Sequence, residues 1–376
     1  MDKVRTQALF ESLLRSVDAA PESFLGFSQA SPPRLGDFLS DLDPDMSLDW
    51  NGVSFQGLPA LRQHVIDQAG LTGVLTKDDV LITAGAAEAN YLVLRQLLQA
   101  GDEIIIERPG WPQAEVVARS QGADIRFIDR SELESWALPL DRLKDMVGPQ
   151  TKLIFLTNPN NPTGRLLSTD DLTEIAAIAR HHGAWVLVDE VYAGLEWSHP
   201  RMPAFAGLYE RGISTGSVSK AFGMQGIRTG WMICGDAGMI EDGVVLREYS
   251  SQISNHPGEA IAEIALRPER RQHMLETVRR ESLVNLAQLA GFIDNHPALS
   301  WHPPEGGLIG LVRLRSGIAG DDVAARALAP PHRTFLISGS AYGQPHHIRL
   351  GVGGGPAARL DAGLACLRRV LDEIDR

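Results

Sequence analysis

A single lysine preceded by two serines stands out in the stretch 215–231, whose sequence is TGSVSKAFGMQGIRTGW. Lys220 follows Ser217 and Ser219, and Arg228 comes eight residues after the lysine. A lysine amine can form a Schiff base with an aldehyde. Hydroxyl and guanidinium groups can hold a phosphate. These residue types at this spacing therefore indicate a site for a phosphorylated aldehyde.

Two further stretches with polar side chains directly follow apolar runs. The first is TNPNNPTG at 157–164, in which Asn161 could place an amide near a ligand oxygen. In the second, Asp189 is followed three residues later by Tyr192. A carboxylate at this position is either a helix cap or a buried partner for a cation such as a pyridinium nitrogen. Ligands of open α/β sheets bind at the carboxyl ends of the strands, so we expect all three stretches to meet in one pocket.

The elements that must position these residues are short apolar runs that alternate with helical patterns. This alternation predicts an α/β fold with a mostly parallel sheet of about seven strands between helices. The predicted strands are Val80–Thr83, Glu103–Glu107, Ala123–Ile128, Leu153–Leu156, Trp185–Val188, Ile213–Val218 and Thr229–Ile233. The predicted helices of this part are 56–69, 88–99, a helix within 109–120, and 170–181.

The pattern changes after residue 240. A long helical stretch from Ala260 to about Ala290, short strands near 307–312 and 347–352, and a final helix over 356–374 predict a small α+β domain. We therefore expect an N-terminal arm at 1–45 that contributes to the small domain, a large domain at 46–265, and the small domain at 266–376. The first 14 residues are expected to form an amphipathic helix.

Composition limits the function classes. The 376-residue chain carries a net charge of −12, which argues against a general nucleic-acid-binding surface. It contains no apolar run of the ~18 residues that a membrane span needs. Two distant cysteines, Cys234 and Cys366, lack metal-ligand spacing and indicate a reducing compartment, so we expect a cytoplasmic protein without a metal.

In this order, the three stretches resemble fold-type-I pyridoxal-phosphate enzymes of the class I/II aminotransferase family. The shared pattern is Asn-Pro-x-Asn-Pro-Thr-Gly, then Asp-Glu-x-Tyr, then Ser-x-Ser-Lys-x-x-Gly-x-x-Gly-x-Arg, and the resemblance covers roughly residues 50–355. Parts of the chain are also loosely similar to specialised-metabolism members such as capreomycidine synthase. The resemblance implies pyridoxal 5′-phosphate as cofactor, an amino acid as substrate, and a homodimer with active sites at its interface.

The resemblance also implies roles for individual residues. Lys220 would form the Schiff base and move the proton at the substrate Cα. Asp189 would pair with the pyridine nitrogen, and Tyr192 and Asn161 would bind the phenolate oxygen of the cofactor. Arg349 would grip the substrate carboxylate, with Asn161 beside the substrate. The remaining cofactor residues are Trp111 for stacking on the ring and Gly85, Ala86, Ala87, Ser217, Ser219 and Arg228 for the phosphate.

The leading function is therefore transamination, with Lys220 as the proton carrier. The alternative is a lyase, cyclase, or decarboxylating or oxidative deaminase reaction on the same cofactor, since the fold does not fix the reaction. The family commonly has a tyrosine of the partner subunit near the phosphate, but residues 49–56 contain none, and Trp50 or Ser54 could replace it. A cofactor-binding regulator is a third class, although the chain has no evident DNA-binding module. Residues 24–29 are expected to line the substrate side.

Overall fold

The computed structural model describes residues 20–197, 199–315, 317–353 and 358–374, and the predicted N-terminal helix lies outside them. None of the helices in these ranges is long and apolar enough to cross a membrane. The strands, in chain order, are β1 Ser23–Phe24, β2 Val80–Thr83, β3 Glu103–Arg108, β4 Asp124–Asp129, β5 Thr151–Thr157, β6 Trp185–Asp189, β7 Gly212–Ser217, β8 Gly230–Cys234, β9 Leu299–Trp301, β10 Ile309–Leu314, β11 Thr334–Phe335, β12 Ile337–Ser338 and β13 His347–Gly351.

Seven of these strands form one sheet in the order β2-β8-β7-β6-β5-β3-β4. Strand β8 runs antiparallel to both of its neighbours, and the other neighbouring pairs are parallel. The sequence prediction of a mostly parallel seven-stranded sheet is confirmed.

Apolar side chains pack on both faces of the large sheet, which explains why its inner strands contain continuous hydrophobic runs. Ile104 and Ile106 of β3 pack in the cluster on one face, whereas Ile105 packs in the cluster on the other. Successive side chains of a strand point to opposite faces, so a strand covered by helices on both sides must be apolar at every position. Because β5, β6 and β7 are parallel, the polar loops that follow them emerge at the same edge of the sheet.

The predicted helices within the described residues lie close to the observed ones, with one correction, but the helices Leu140–Met146, Ala237–Arg247 and Gly320–Leu328 were not predicted. The predicted helix from Ala260 to Ala290 is two helices, because Arg267 adopts an extended conformation before Pro268. Proline disfavours the helical conformation of the residue that precedes it. The α-helices are α1 Pro59–Gln68, α2 Ala86–Leu97, α3 Gln113–Gln121, α4 Leu140–Met146, α5 Thr169–His182, α6 Ala237–Arg247, α7 His256–Leu266, α8 Pro268–Asp294, α9 Gly320–Leu328 and α10 Ala358–Ile374.

A second, antiparallel sheet has the order β12-β13-β10-β9. It contributes to a separate core with side chains of α8, α9 and α10, in agreement with the predicted α+β part. Leu25 of the segment after β1 packs in the same core. Strand β13 is central to the site because it carries Arg349, which pairs in register with Ile337 of β12.

Candidate active site

A cavity of about 370 Å³ collects most of the residues predicted from the three stretches. It lies where the polar loops leave the carboxyl ends of β5, β6 and β7, as expected for an open α/β sheet. Gly85 does not line this cavity but immediately precedes two residues that do. The predicted residues that line it are Ala86, Ala87, Trp111, Asn161, Asp189, Tyr192, Ser217, Ser219, Lys220, Arg228 and Arg349.

The Asp189 carboxylate at the end of β6 is buried and is oriented by neutral donors. Asn90 Nδ2 donates to Asp189 Oδ2 at 2.8 Å, and the Val191 amide donates to Oδ1 at 3.2 Å. Thr215 Oγ1 in turn donates to Asn90 Oδ1 at 2.7 Å, which fixes the direction of the amide. Burial raises the pKa of Asp189 to about 6. A cationic N–H group in the cavity would favour its charged form.

The Lys220 amine projects into the same cavity from the loop after β7. Its Nζ donates to Ser28 Oγ at 3.2 Å, and its backbone carbonyl accepts from the Ala30 amide at 2.9 Å. Burial and, to a lesser extent, the nearby charge of Arg349 lower the pKa of Lys220 to about 8. A larger share of the amine is therefore neutral and nucleophilic near neutral pH than in a solvated lysine.

The Tyr192 hydroxyl is a buried polar group that is not fully satisfied by the protein. The side chain is 1% exposed, with the Ser28 hydroxyl close to it. Its hydroxyl makes no hydrogen bond of ordinary geometry. Burial raises the pKa of Tyr192 to about 12, so the hydroxyl stays protonated and can donate a hydrogen bond to a ligand oxygen.

The Arg349 guanidinium is buried, and its hydrogen-bond acceptors in the protein are neutral oxygens. Nη1 donates to Asn161 Oδ1 at 3.1 Å and to the Tyr342 hydroxyl at 2.6 Å, and Nη2 donates to the Gly26 carbonyl at 2.7 Å. Its Nε is buried without a partner. A buried charge is costly unless it is paired, so this arrangement suits an anionic ligand group.

A second guanidinium, that of Arg228, lies at the N-terminal turn of α2. Arg228 Nη2 donates to the Ala84 carbonyl at 3.0 Å, which places the guanidinium beside Gly85. A Cβ atom on Gly85 would lie 2.3 Å from Arg228 Nη2 and would displace this guanidinium, and the positive φ of Gly85 also favours glycine. The first backbone amides of α2, at Ala86 and Ala87, face no acceptor within the helix and can bind an anion.

Two serines and a tryptophan complete the predicted set. Ser217 Oγ accepts from the Ser219 amide at 3.2 Å, which holds both serines at the cavity wall after β7. Trp111 is partly buried and packs against the cluster that contains Phe335, Ile337 and Tyr342. The structure thus places these residues around one cavity, while their individual roles stay predictions.

Three functional contacts were not predicted from the sequence. Asn90 orients Asp189, Ser28 accepts from Lys220, and Tyr342 accepts from Arg349. Asn90 is a polar residue among the apolar side chains on the buried face of α2. This position is the one feature of the sequence that could have indicated a role for it. Ser28 falls in the segment that was expected to line the substrate side, and Phe27 and Gln29 line the cavity with it. For Tyr342 the sequence offers no comparable signal.

Comparison with known families identifies the class of protein to which this cavity belongs. The family model described as aminotransferase class I and II matches residues 50–367, which is most of the chain. The chain belongs to the class I and II aminotransferases. The sequence resemblance to this family is therefore confirmed, and the enzyme uses pyridoxal 5′-phosphate.

The relatives of this aminotransferase include enzymes with different reactions. Nicotianamine aminotransferase 1 of Oryza sativa subsp. japonica is 27% identical over 93% of this chain and 75% of its own length. Capreomycidine synthase of Streptomyces vinaceus is 26% identical over 78% of this chain and 74% of its own. A PLP-dependent aminotransferase from Streptococcus suis 89-1591 has a TM-score of 0.91 and 27% identity, and the match covers 100% and 99% of the two chains.

The residues of the cavity fit pyridoxal phosphate. The unsatisfied hydroxyl of Tyr192 can donate to an oxygen on the ring, and the buried carboxylate of Asp189 can accept from the ring nitrogen. At the other end, Arg228 and the amides that follow Gly85 can bind an anion, and a side chain at Gly85 would displace the Arg228 guanidinium from this position. The donor set therefore matches an aldehyde, a basic ring nitrogen and a phosphate in one ligand.

Proposed function

We propose that this enzyme transfers the amino group of an amino acid to a keto acid through pyridoxal phosphate, with Lys220 as the residue that acts at the substrate Cα. One observation carries the proposal: the Lys220 amine and the Arg349 guanidinium line the same cavity. An amino acid that is held by its carboxylate at Arg349 presents its amino group and its Cα proton towards Lys220. When bound, the cofactor supplies an aldehyde for the amino group and a ring that withdraws electrons from Cα.

Each residue of the cavity has a separate role in the proposed reaction. Lys220 would accept the proton at the substrate Cα and return it in the transfer that follows. Asp189 holds the proton of the ring nitrogen, and Asn90 keeps the carboxylate in the orientation that this needs. Tyr192 and Asn161 bind the ring oxygen. Phosphate binding is assigned to Arg228, Ser217, Ser219 and the turn at Gly85, Ala86 and Ala87, and Trp111 is assigned to stacking on the ring.

A half-reaction without keto acid tests transamination. We expect the holoenzyme, mixed anaerobically with a reactive amino acid, to convert its cofactor stoichiometrically into pyridoxamine phosphate and to release one keto acid. The conversion can be followed by absorption and by chromatography of the extracted cofactor. Adding a keto acid should restore the starting spectrum, because transamination is reversible. Turnover of an amino acid without pyridoxamine phosphate would contradict the proposal.

The second candidate is a lyase, cyclase or oxidative reaction on the same cofactor. The likeness to capreomycidine synthase favours it, since the identity of 26% is close to that of the aminotransferase relative. The absence of a tyrosine at residues 49–56 also supports a specialised member. Release of ammonia, carbon dioxide, peroxide or a cyclised amino acid in the half-reaction would select this candidate.

We propose the division of the chain into an arm at 1–45, a large domain at 46–265 and a small domain at 266–376. Two clusters of the seven-stranded sheet contain residues within 81–240, and the small-sheet cluster contains Leu25 and residues within 289–371, which supports this division. A third cluster of the large sheet joins the parts, since it includes Ala30 and Phe38 of the arm and Leu308 of the small domain. Leu25 is the member of the arm that packs in the small-sheet core.

We further propose a homodimer with the active sites at its interface. Leu48, Val53 and Phe55 are exposed apolar side chains on one segment, and the Trp50 ring stacks on Phe55 at 4.8 Å. Arg247 at the end of α6 donates to the Phe55 carbonyl. The segment therefore lies beside the end of α6. Two large side chains there are also exposed, namely Val245 and Tyr249. An exposed apolar patch of this kind is typical of a protein interface.

The mass in solution tests the dimer. We expect light scattering to give twice the mass of the chain, and we expect Phe55→Asp to shift the population towards the monomer because it buries a charge in the interface. The matched control is Leu133→Asp, which changes another exposed side chain, 94% exposed, outside this segment. A monomeric wild-type enzyme would contradict the proposal.

A cytoplasmic location is also proposed. Cys234 and Cys366 are both buried and free, which suits a reducing compartment. Fractionation of the source cells tests this location directly.

A further inference from the structure

The charged side chains of the cavity are few, and each already has a task in the proposed reaction. Among the described residues that line it, these are Asp189, Lys220, Arg228 and Arg349. Asp189 is held by Asn90, and Arg228 lies against the turn before α2. Among the side chains that the described part of this chain contributes, none is therefore left to pair with a second carboxylate or a distal ammonium on the substrate, and burying such a charge unpaired is unfavourable.

The wall beside the carboxylate anchor is apolar. Ile337 lies directly opposite Arg349 in the antiparallel pair of β12 and β13, so their side chains share one face of the sheet. Phe27 follows Gly26, whose carbonyl accepts from Arg349, and it lines the cavity together with Ile337. The cavity that contains the guanidinium proposed to bind the substrate carboxylate is thus also lined by Phe27 and Ile337.

An aromatic cluster supports this wall from behind. The Phe27 ring stacks on Phe24 with centroids 4.9 Å apart and lies 5.8 Å from the ring of Phe335. Trp111 and Tyr342 belong to the same cluster. The wall is therefore braced by packed rings, and a substrate side chain in contact with Phe27 meets a preformed apolar surface.

We propose that the substrate carries an apolar side chain, aromatic or aliphatic, and that Phe27 and Ile337 are the residues that select it. This inference rests on the proposed function, because it takes Arg349 as the carboxylate anchor and Lys220 as the group at Cα. When Arg349 binds the carboxylate and Lys220 faces the Cα proton, the substrate side chain is directed to the part of the wall that Phe27 and Ile337 form. The polar wall residues Ser28 and Gln29 are neutral, so an uncharged polar side chain such as that of glutamine is the competing class.

Binding and turnover of a substrate panel test the inference with the holoenzyme. We expect kcat/KM for L-phenylalanine, L-leucine and L-methionine to exceed that for L-aspartate, L-glutamate, L-lysine, L-arginine and L-glutamine by on the order of 10²-fold. A preference for a charged amino acid or for L-glutamine would overturn the inference.

Unreactive analogues separate this inference from the proposed function. α-Methyl amino acids lack the Cα proton, so they bind the holoenzyme without being transaminated. We expect α-methyl-phenylalanine to change the cofactor spectrum at a concentration at least about tenfold lower than α-methyl-glutamate or α-methyl-ornithine. This order of binding without any turnover of the parent amino acids would reject transamination and retain the substrate class. The reverse order would reject the substrate class.

A matched pair of variants tests the role of Phe27. Phe27→Ala removes a ring that lines the cavity, whereas Phe24→Ala removes its stacking partner, which does not line it. We expect Phe27→Ala to lower the ratio of kcat/KM for L-phenylalanine to that for L-alanine about tenfold or more. Phe24→Ala should leave this ratio within about threefold, since it changes packing but not the wall. An equal change of the ratio in both variants, or none in Phe27→Ala, would overturn the assignment.

Discussion

A Lys220→Ala variant is expected to lose the visible absorption band of the lysine-bound cofactor and to transaminate at least about 10²–10⁴-fold more slowly. The lost amine is the nucleophile for the cofactor aldehyde and the group that moves the proton at the substrate Cα. Burial lowers the pKa of this amine to about 8, and the Ser28 hydroxyl orients it within the cavity. No other lysine lines the cavity among the described residues, so no second amine can replace it.

Borohydride reduction identifies the lysine independently of activity. Reduction of the wild-type holoenzyme should fix the cofactor on the peptide that contains Lys220, as measured by peptide mass. Lys152→Ala is the matched control because it removes an exposed lysine of β5, and it should keep the band, the label and the rate. A label on another lysine, or an unchanged spectrum of Lys220→Ala, would contradict the assignment.

The sequence predicts both ends of each strand of the large sheet to within two residues, because each strand contains a short apolar run between loops. The alternation with helices predicts that most strands are parallel, but it does not predict which strand is reversed, since a run such as Thr229–Ile233 has the same pattern in either orientation. The reversal of β8 follows from the connection at 218–229, which holds no crossover helix to return the chain for a parallel strand. The break between α7 and α8 could have been predicted from Pro268.

The candidate site is predictable where its residues follow strand ends in recognisable stretches. Asn161, Asp189 and Lys220 meet this condition, and the structure brings them to one cavity. Asn90 and Tyr342 do not meet it, because their importance arises from contacts with residues 99 and 7 positions away in the sequence. Such contacts exist only after the chain has folded, and local residue patterns carry no information about them.

An Arg349→Leu variant is expected to lower kcat/KM for the amino-acid substrate by about 10²–10³-fold, mainly through KM. Removing one partner of a buried charge pair costs about 2–5 kcal/mol, and the guanidinium is the group assigned to the substrate carboxylate. The substitution also leaves Asn161 Oδ1 and the Gly26 carbonyl without their donor. Steady-state kinetics of the wild type and the variant measure the effect.

An amine that has the structure of the substrate without its carboxylate serves as the control substrate. It shows whether the loss of kcat/KM in Arg349→Leu is specific for the carboxylate. Arg349→Leu should leave kcat/KM for this amine within about threefold of the wild type, because the amine makes no use of the guanidinium. Arg349→Lys should fall between the two enzymes for the amino acid, since it keeps the charge but not the planar fork. An equal loss for the amino acid and the amine would show damage to the fold around Asn161 and Tyr342. In that case Arg349 would be a structural residue of β13, and the substrate carboxylate would bind elsewhere in the cavity.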